Sequence, residues 1–511
     1  MMTQPVTLGT AETSIRDIVD IAYGAEVLLD SAALAGMQTI SEKIRQAIAE
    51  NKVIYGLTTG VGDLVTQRLS PEQISDVQLN MLKSHACGTG PDLAQHEVRA
   101  MMAVMIKSLV QGFSGVSPQL VLTMAEMLNK GVIPWSPAKG SVGYLIATAH
   151  IGLSVFGYGK AYYQGELLAA REALQRAGIA VRIPGPREGH ALVSGTYEIT
   201  ALGCLAVDAF RELIPVADAA GGMSLEVLKG NIRCYDARLH AIRPHQGQQE
   251  TARILRCLLR NSEILDKYRD FRVQDALSLR CIPQMHGAVR DVLSYCQSTL
   301  TTEVNSVTDN PVFMIEDGEL QVLPGGNGHG APLALCLDAL AIAVAQLSTG
   351  SQARSDRLTN SHLSGLPAFL VANGGAHSGM MIPPYAAAAL AGENRALAAP
   401  ASVHTVATCA GQEDHISMGV TAARNVIDAV ENAIDIVAIE ILCATQAVEF
   451  HRPLRASTGS ETVLALVRQQ VDFRQSDEEM YPDMLAIRQL IKQGTLYQAL
   501  KPLIFPETEL A

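Results

Sequence analysis

Apolar positions recur with helical period through long stretches of the second half of this chain. From Asn425 to Phe450, NVIDAVENAIDIVAIEILCATQAVEF, the acids Asp428, Glu431 and Asp435 interrupt an apolar run at spacings that keep them to one side. That pattern predicts a long packed helix with a polar stripe. The most apolar run, LALCLDALAIAVAQL from Leu333 to Leu347, carries Asp338 in its interior. It falls short of the roughly 20 residues needed to cross a bilayer, so it reads as a central helix of a bundle. Before about residue 200 the periodicity is broken by glycine-rich turns: YGLTTGVGD, CGTGPD, GFSGVSP, KGSVG and RIPGPREGH. The pattern thus predicts a loop-rich N-terminal portion over residues 1–200 and a helical bundle over 201–511, with irregular loops near 305–330 and 355–390. It shows no internal repeat, low-complexity tract or flexible linker.

Composition narrows the class. Of the 511 residues 48% are apolar, only 5% aromatic and 18% charged, which favours an all-α interior of closely packed helices with small side chains between them. The net charge of −12, without any lysine or arginine block, excludes a nucleic-acid surface. The N-terminal stretch MMTQPVTLGTAETSIRDIVD has no basic segment followed by an apolar run, so a cytoplasmic location without a membrane anchor is expected. Nine cysteines lack CxxC or Cys/His spacing, so neither a disulfide framework nor a zinc site is expected. No other metal-ligand spacing is present, and no bound metal is expected.

Several short stretches could carry chemistry. In YGLTTGVG, Tyr55 precedes two threonines and two glycines on a loop and could serve as an acid or base; taken alone, a tyrosine packed on a turn explains it as well. His85 ends a helical stretch in KSHACGTG, where a lone histidine is commonly a satisfied structural donor. Arg280 in VQDALSLRCIPQ presents a fork suited to a carboxylate, or to an interior ion pair. EVNSVTDNPVF and LPGGNGHG are polar, glycine-bearing loops, and GQEDHISMG gathers Gln412, Glu413, Asp414 and His415 just before an apolar helix. Four adjacent polar groups there are hard to explain as packing.

These motifs in this order, with SHLSGLPAFLV (Ser361 to Val371) and ENRALAAPAS (Glu393 to Ser402), resemble the aromatic amino acid ammonia-lyases, histidine ammonia-lyase-like in form, over roughly Tyr55 to Phe450. The resemblance implies an all-α, fumarase/aspartase-like homotetramer with active sites built from more than one subunit. It implies that Tyr55 is the catalytic loop tyrosine and that Arg280 grips the substrate carboxylate. It also implies that His85, Gln412 and Glu413 read an imidazole ring, whose two nitrogens can both give and take hydrogen bonds. The substrate expected is a small imidazole amino-acid derivative.

The same resemblance marks departures. Family members place Ala-Ser-Gly after Gly-Ser-Val-Gly and cyclise it into a methylidene-imidazolone; here Gly143 is followed by Tyr144. Ser194 stands where the family has asparagine in Leu-Asn-Gly-Thr, Leu277 where it has a second tyrosine, and Gly328 where it has phenylalanine. Four changes at positions that form or pack the electrophile imply its loss, and hence no cofactor. An electrophile-free site suits a quaternary amine, which leaves without covalent activation. This implies, as in the ergothionases, elimination of trimethylamine from a histidine-derived betaine, ergothioneine giving thiourocanate. Ser194, Leu277 and Gly328 would line its pocket, with Gly328 and Leu277 making room for the N-methyl groups. The β-proton would go to Tyr55, or to Glu413 with Tyr55 positioning. Two other readings stay open: a histidine ammonia-lyase whose electrophile the sequence does not display, and a catalytically silent ligand-binding paralogue.

Overall fold

The structure, a computed structural model, describes residues 4–50, 52–55, 57–60 and 66–505. Tyr55 is among them, whereas Gly56, Val61 and Gly62 of its loop lie outside the described residues. The chain is mostly helical, as composition and periodicity predict. It divides into two compact units: Met1–Asp208 with Cys296–Leu337 and Pro400–Arg424, and Ala209–Tyr295 with Asp338–Ala399 and Asn425–Ala511. The first unit therefore adds two later segments to the N-terminal portion, which a single division near residue 200 does not contain. Four of the five divisions fall inside the long helices Tyr197–Val227, Ile282–Val304, Ala331–Thr359 and Gly419–Glu449, where no change of sequence pattern marks them; the fifth, at Ala399–Pro400, follows the helix Pro383–Leu397.

In the first unit the helix Gln95–Val110 is the centre. Apart from Arg99, every residue from Glu97 to Val110 is buried, the arrangement expected of a helix that is apolar nearly all round. Lys107 is the exception in kind. Its ammonium donates to the carbonyls of Gly9 and Ala11 at 2.8 and 2.7 Å, which replaces the water it loses, and burial lowers its pKa. The strands are short and all lie in this unit. Val6–Leu8 pairs in parallel with Val27–Leu29, Thr89–Asp92 pairs antiparallel with Pro137–Lys139, and Lys160–Tyr163 joins Ile133–Pro134 to Glu166–Ala169. The stretch expected to be irregular near 305–330 contains a hairpin, Val312–Glu316 with Glu319–Leu323. Phe313 of that hairpin is buried with Ile44, Ala47, Ile54, Leu57 and Ile74. Ile54 and Leu57 thereby pin both sides of the turn that carries Tyr55.

In the second unit, two buried acids, Glu440 and Asp218, are well met by hydrogen bonds. Glu440 accepts from Arg354 Nε and Nη2 at 2.6 and 2.9 Å, from Ser224 at 2.7 Å and from Ser351 at 2.6 Å. Asp218 takes Arg290 at 2.6 Å and His286 at 2.8 Å; burial opposes its charge, but the Arg290 guanidinium and the His286 hydrogen bond hold its pKa below the usual carboxylate range. The apolar run from Leu333 proves to be part of a 29-residue helix, Ala331–Thr359, long and apolar enough by composition to cross a membrane. Of its most apolar window, 67% is buried within the chain, which is the behaviour of a core helix.

One buried acid of the first unit is left poorly met. Glu198 Oε2 finds no hydrogen-bond partner among the described residues, while the nearby Arg424 gives its Nη1 to Glu97 at 2.7 Å. Burial, opposed by Arg424 and reinforced by Glu97, pushes the Glu198 carboxyl up to about 7. The folded state thus holds a proton there that the unfolded chain releases near 4.5, so this group makes stability fall as pH rises between those values. Glu198→Gln removes the term. The melting temperature of the variant relative to wild type should climb from pH 4.5 to pH 7, and a difference that stays constant with pH would place the titration elsewhere.

Candidate active site

Each of the three segments of the first unit supplies one wall of a cavity of about 180 Å³. That volume is below the ~300–1,000 Å³ typical of pockets for drug-sized ligands, and suits a molecule the size of an amino acid. The first wall is Val142 to Leu145. Here Val142 O accepts from Met418 N at 2.8 Å, and Ser141 Oγ donates to Tyr144 O at 3.1 Å. Leu145 then adopts φ +93°, a region rare for a residue with a side chain, and the helix Ile146–Val155 begins at once. The backbone thus turns from the glycine loop into the helix with Tyr144 at the bend.

Asn310 and the glycine loop to Gly330 form the second wall. Asn310 N donates to Ser194 Oγ at 3.1 Å and to Asp309 Oδ1 at 2.7 Å, and Asn310 Oδ1 accepts from Gly325 N at 2.8 Å. Behind it the Asp309 carboxylate pairs with Arg187 Nη2 at 2.7 Å, with both side chains fully buried. Arg187 also contacts His190 Nδ1 and donates to Ser114 O at 3.3 Å. The His190 ring in turn meets Tyr55 edge-on, with centroids 5.8 Å apart.

The third wall is Gln412 to Ser417. Thr408 clasps Glu413 twice, its N–H donating to Glu413 O at 2.8 Å and its hydroxyl to Oε2 at 3.0 Å. His415 and His329 face each other across the cavity mouth, with ring centroids 5.4 Å apart and Nδ1 to Nε2 at 3.4 Å. Tyr144 feels this wall strongly. Burial first, and then the carboxylates of Glu413 and Asp309 and the neighbouring Tyr55 phenol, push its phenol up to about 12, so it stays protonated through the physiological range.

Of the residues expected from sequence, Gln412, Glu413 and Gly328 line the cavity. Tyr55 lies close enough to act on Tyr144 electrostatically. Ser194 is not a lining residue; it acts on the cavity through the Asn310 backbone. His85 is likewise absent from the lining, ending the helix Pro71–His85 with its Nδ1 3.0 Å from Ser84 Oγ. Leu277 and Arg280 belong to the second unit, on the short helix Leu277–Arg280. Leu277 is exposed there, and Gln274, with its amide oxygen turned to the guanidinium, accepts from Arg280 at 2.5 and 3.2 Å.

One expectation fails on sterics. Gly328 was expected to open space for N-methyl groups, but a Cβ built on it would lie 3.5 Å from Tyr144 Cζ and 3.3 Å from Thr308 O. The room left by its missing side chain is taken by the Tyr144 ring. Sequence reasoning did not assign Tyr144, His329, His415 or Asn310 to the site. His415 in GQEDHISMG, Asn310 in EVNSVTDNPVF and His329 between glycines in GGNGHG each lay in a stretch that stood out locally; that these stretches meet in one cavity with Tyr144 needed the fold.

A family model described as aromatic amino acid lyase matches residues 13–469. Histidine ammonia-lyase of Caldanaerobacter subterraneus is 42% identical over 492 residues, 96% of this chain and 96% of its own. The crystal structure of histidine ammonia-lyase from Trypanosoma cruzi superposes with a TM-score of 0.92 at 35% identity, covering 99% of this chain and 97% of that one. Ergothionase from Treponema denticola superposes with a TM-score of 0.90 but at 25% identity, covering 97% and 99%. These relationships correct the expected elimination of trimethylamine from ergothioneine: relatives at 39–42% identity carry the name histidine ammonia-lyase, and ergothionase, at 25%, is the more distant neighbour.

The Arg187–Asp309 pair sits beneath both the Asn310 wall and the ring that faces Tyr55. Asp309→Asn leaves the guanidinium buried without its counter-charge, a loss of about 3–5 kcal/mol for a broken buried pair. Thermal melting should show a clearly less stable protein. A variant melting with wild type would mean that the pair does not hold this wall.

Proposed function

We propose, for a chain that belongs to the aromatic amino acid lyase family, the elimination of ammonia from histidine or a closely related imidazole amino acid, with a urocanate as the other product. The observation that carries this reading is the near-complete match to histidine ammonia-lyases, joined to a cavity of amino-acid size walled by Tyr144, Glu413, His329 and His415.

In this reading Tyr55 acts as its phenolate, takes the β-proton and becomes the neutral phenol. The C–H electron pair becomes the new double bond between Cα and Cβ, and the Cα–N bond breaks with its electrons going to nitrogen. The substrate's ammonium thus departs as neutral ammonia, carrying the three protons it already had. Arg280, to which the family resemblance gives the carboxylate, offers a two-point guanidinium clamp. His329, Gln412 and His415 offer donors and acceptors for the two imidazole nitrogens.

The methylidene-imidazolone of the family is made from Ala-Ser-Gly, and it would act by bonding to the substrate amine. The residues after Gly143 do not fit it. Tyr144 follows directly, and Leu145 carries the backbone straight into the next helix. No step of the proposed reaction passes through that group.

The test is incubation with L-histidine, following urocanate absorbance and ammonia together, beside the intact mass of the purified chain. Equimolar urocanate and ammonia, from a chain with the mass of its uncyclised sequence, are expected. Silence toward histidine would overturn the substrate, and a mass or peptide showing a cyclised triad would overturn the electrophile-free route. Arg280→Lys should lower kcat/KM by roughly 10- to 150-fold, the equivalent of about 1.5–3 kcal/mol for a charge-assisted hydrogen bond. Unchanged efficiency would remove Arg280 from carboxylate recognition.

A further inference from the structure

Tyr144 is not explained by packing alone. Its ring lies against the backbone of Gly328, where a Cβ would already be in van der Waals contact with it and a bulkier side chain would compete for its space, and Tyr144 lines the same cavity as Glu413. The wall that holds it is fixed on both sides, by the hydrogen bond from Met418 N to Val142 O and by Ser141 Oγ on Tyr144 O. Gly143 packs against the Ser417 hydroxyl, with a Cβ position 3.4 Å from Ser417 Oγ. The phenol therefore has little freedom to leave the cavity. Glu413 is fixed in the same way by the two hydrogen bonds of Thr408.

The charge that faces this corner is that of Glu413: the Asp309 carboxylate behind it is matched by Arg187, and the cavity has no lysine or arginine among its lining residues. A negative corner of this kind attracts a cation. On the proposed substrate the cation is the α-ammonium, and a neutral phenol oxygen beside a carboxylate can accept two of its three N–H bonds. The Tyr144 phenol keeps its own proton to about 12, so it remains a neutral acceptor at the working pH and adds no charge that the carboxylate would have to oppose.

We infer that Tyr144 and Glu413 form the ammonium subsite of the cavity, and that Tyr144 is a substrate-contacting residue that orients the departing amine. This deepens the reading of the chain as a lyase for an imidazole amino acid, and rests on it for the identity of the cation. The subsite also accounts for the pairing of a large residue at 144 with glycine at 328: the ring needs the space that a side chain at 328 would fill.

Binding rather than turnover separates this inference from the proposed reaction. The wild-type chain, Tyr144→Phe and Glu413→Gln are titrated calorimetrically with L-histidine and with imidazolepropionate, which has the same ring and carboxylate but no amine. Wild type should bind histidine more tightly. Tyr144→Phe should weaken histidine binding by about tenfold or more while leaving imidazolepropionate within about twofold, the expected pattern when one hydrogen bond to a charged group is removed. Glu413→Gln should show the same selectivity. A phenol with a merely structural role would move both ligands together, and that outcome overturns the inference, as does a wild type without preference for the ligand that carries the amine. The contrast stands even if histidine is bound and not converted, in which case the reaction fails and the subsite does not.

Discussion

The buried pair between Arg187 and Asp309 is the constraint on which the site depends. Neither charge has access to water, so each exists in the fold only because the other is 2.7 Å away. From Asp309 the chain passes directly to Asn310 in the cavity wall, and from Thr308 to the backbone beside Gly328; Thr308 Oγ1 also accepts from Thr196 N at 3.3 Å. From Arg187, which itself adopts a left-handed φ of +68°, the helix Glu188–Val193 leads to His190, the ring against Tyr55, and then to Ser194, which holds Asn310. One ion pair thus ties the tyrosine turn, the serine turn and the glycine loop to a common point. Removing either charge costs more than a hydrogen bond, because the other is left stranded in a low-dielectric interior.

Buried acids elsewhere in the chain show what a purely structural solution looks like. Glu226 accepts from Ser457 N at 2.6 Å and from the hydroxyls of Ser457 and Ser460 at 3.0 and 2.6 Å, as well as from Ser262. Glu440 is saturated by one arginine and two serines. Those carboxylates spend their acceptor capacity inside the protein. Glu413 instead takes Thr408 and turns to a cavity, beside a phenol that burial and like charge keep protonated. A carboxylate with acceptor capacity left over, beside a phenol that keeps its proton, is what a site for handling charge requires.

The departures from the family pattern also show how a motif argument can mislead. Residue by residue, the run from Gly143 to Tyr144 pointed to a lost electrophile, and the glycine at 328 to a roomier pocket for a bulky amine. In the fold the two changes compensate, the ring of one lying along the bare backbone of the other. Similarity spread over nearly the whole chain carries more weight than these local changes for the class of substrate, because it samples every wall of the site at once.

Legibility followed the range of the interactions. Helical periodicity is local, so the long helices around Leu333 and Asn425 could be read from the chain, although the full extent of Ala331–Thr359 could not. Gln412 and Glu413 were legible for a similar reason: polar residues crowded before an apolar helix are conspicuous in one dimension. The unit boundaries were not, because all but the one at Ala399–Pro400 fall within unbroken helices, and all depend on contacts between segments far apart in sequence. Tyr144 had been visible only as a departure from a pattern. Its place beside Glu413, 269 positions later in the chain, and against Gly328 was decided by tertiary packing, which brought three separated loops together and left one neutral phenol in a corner of negative charge.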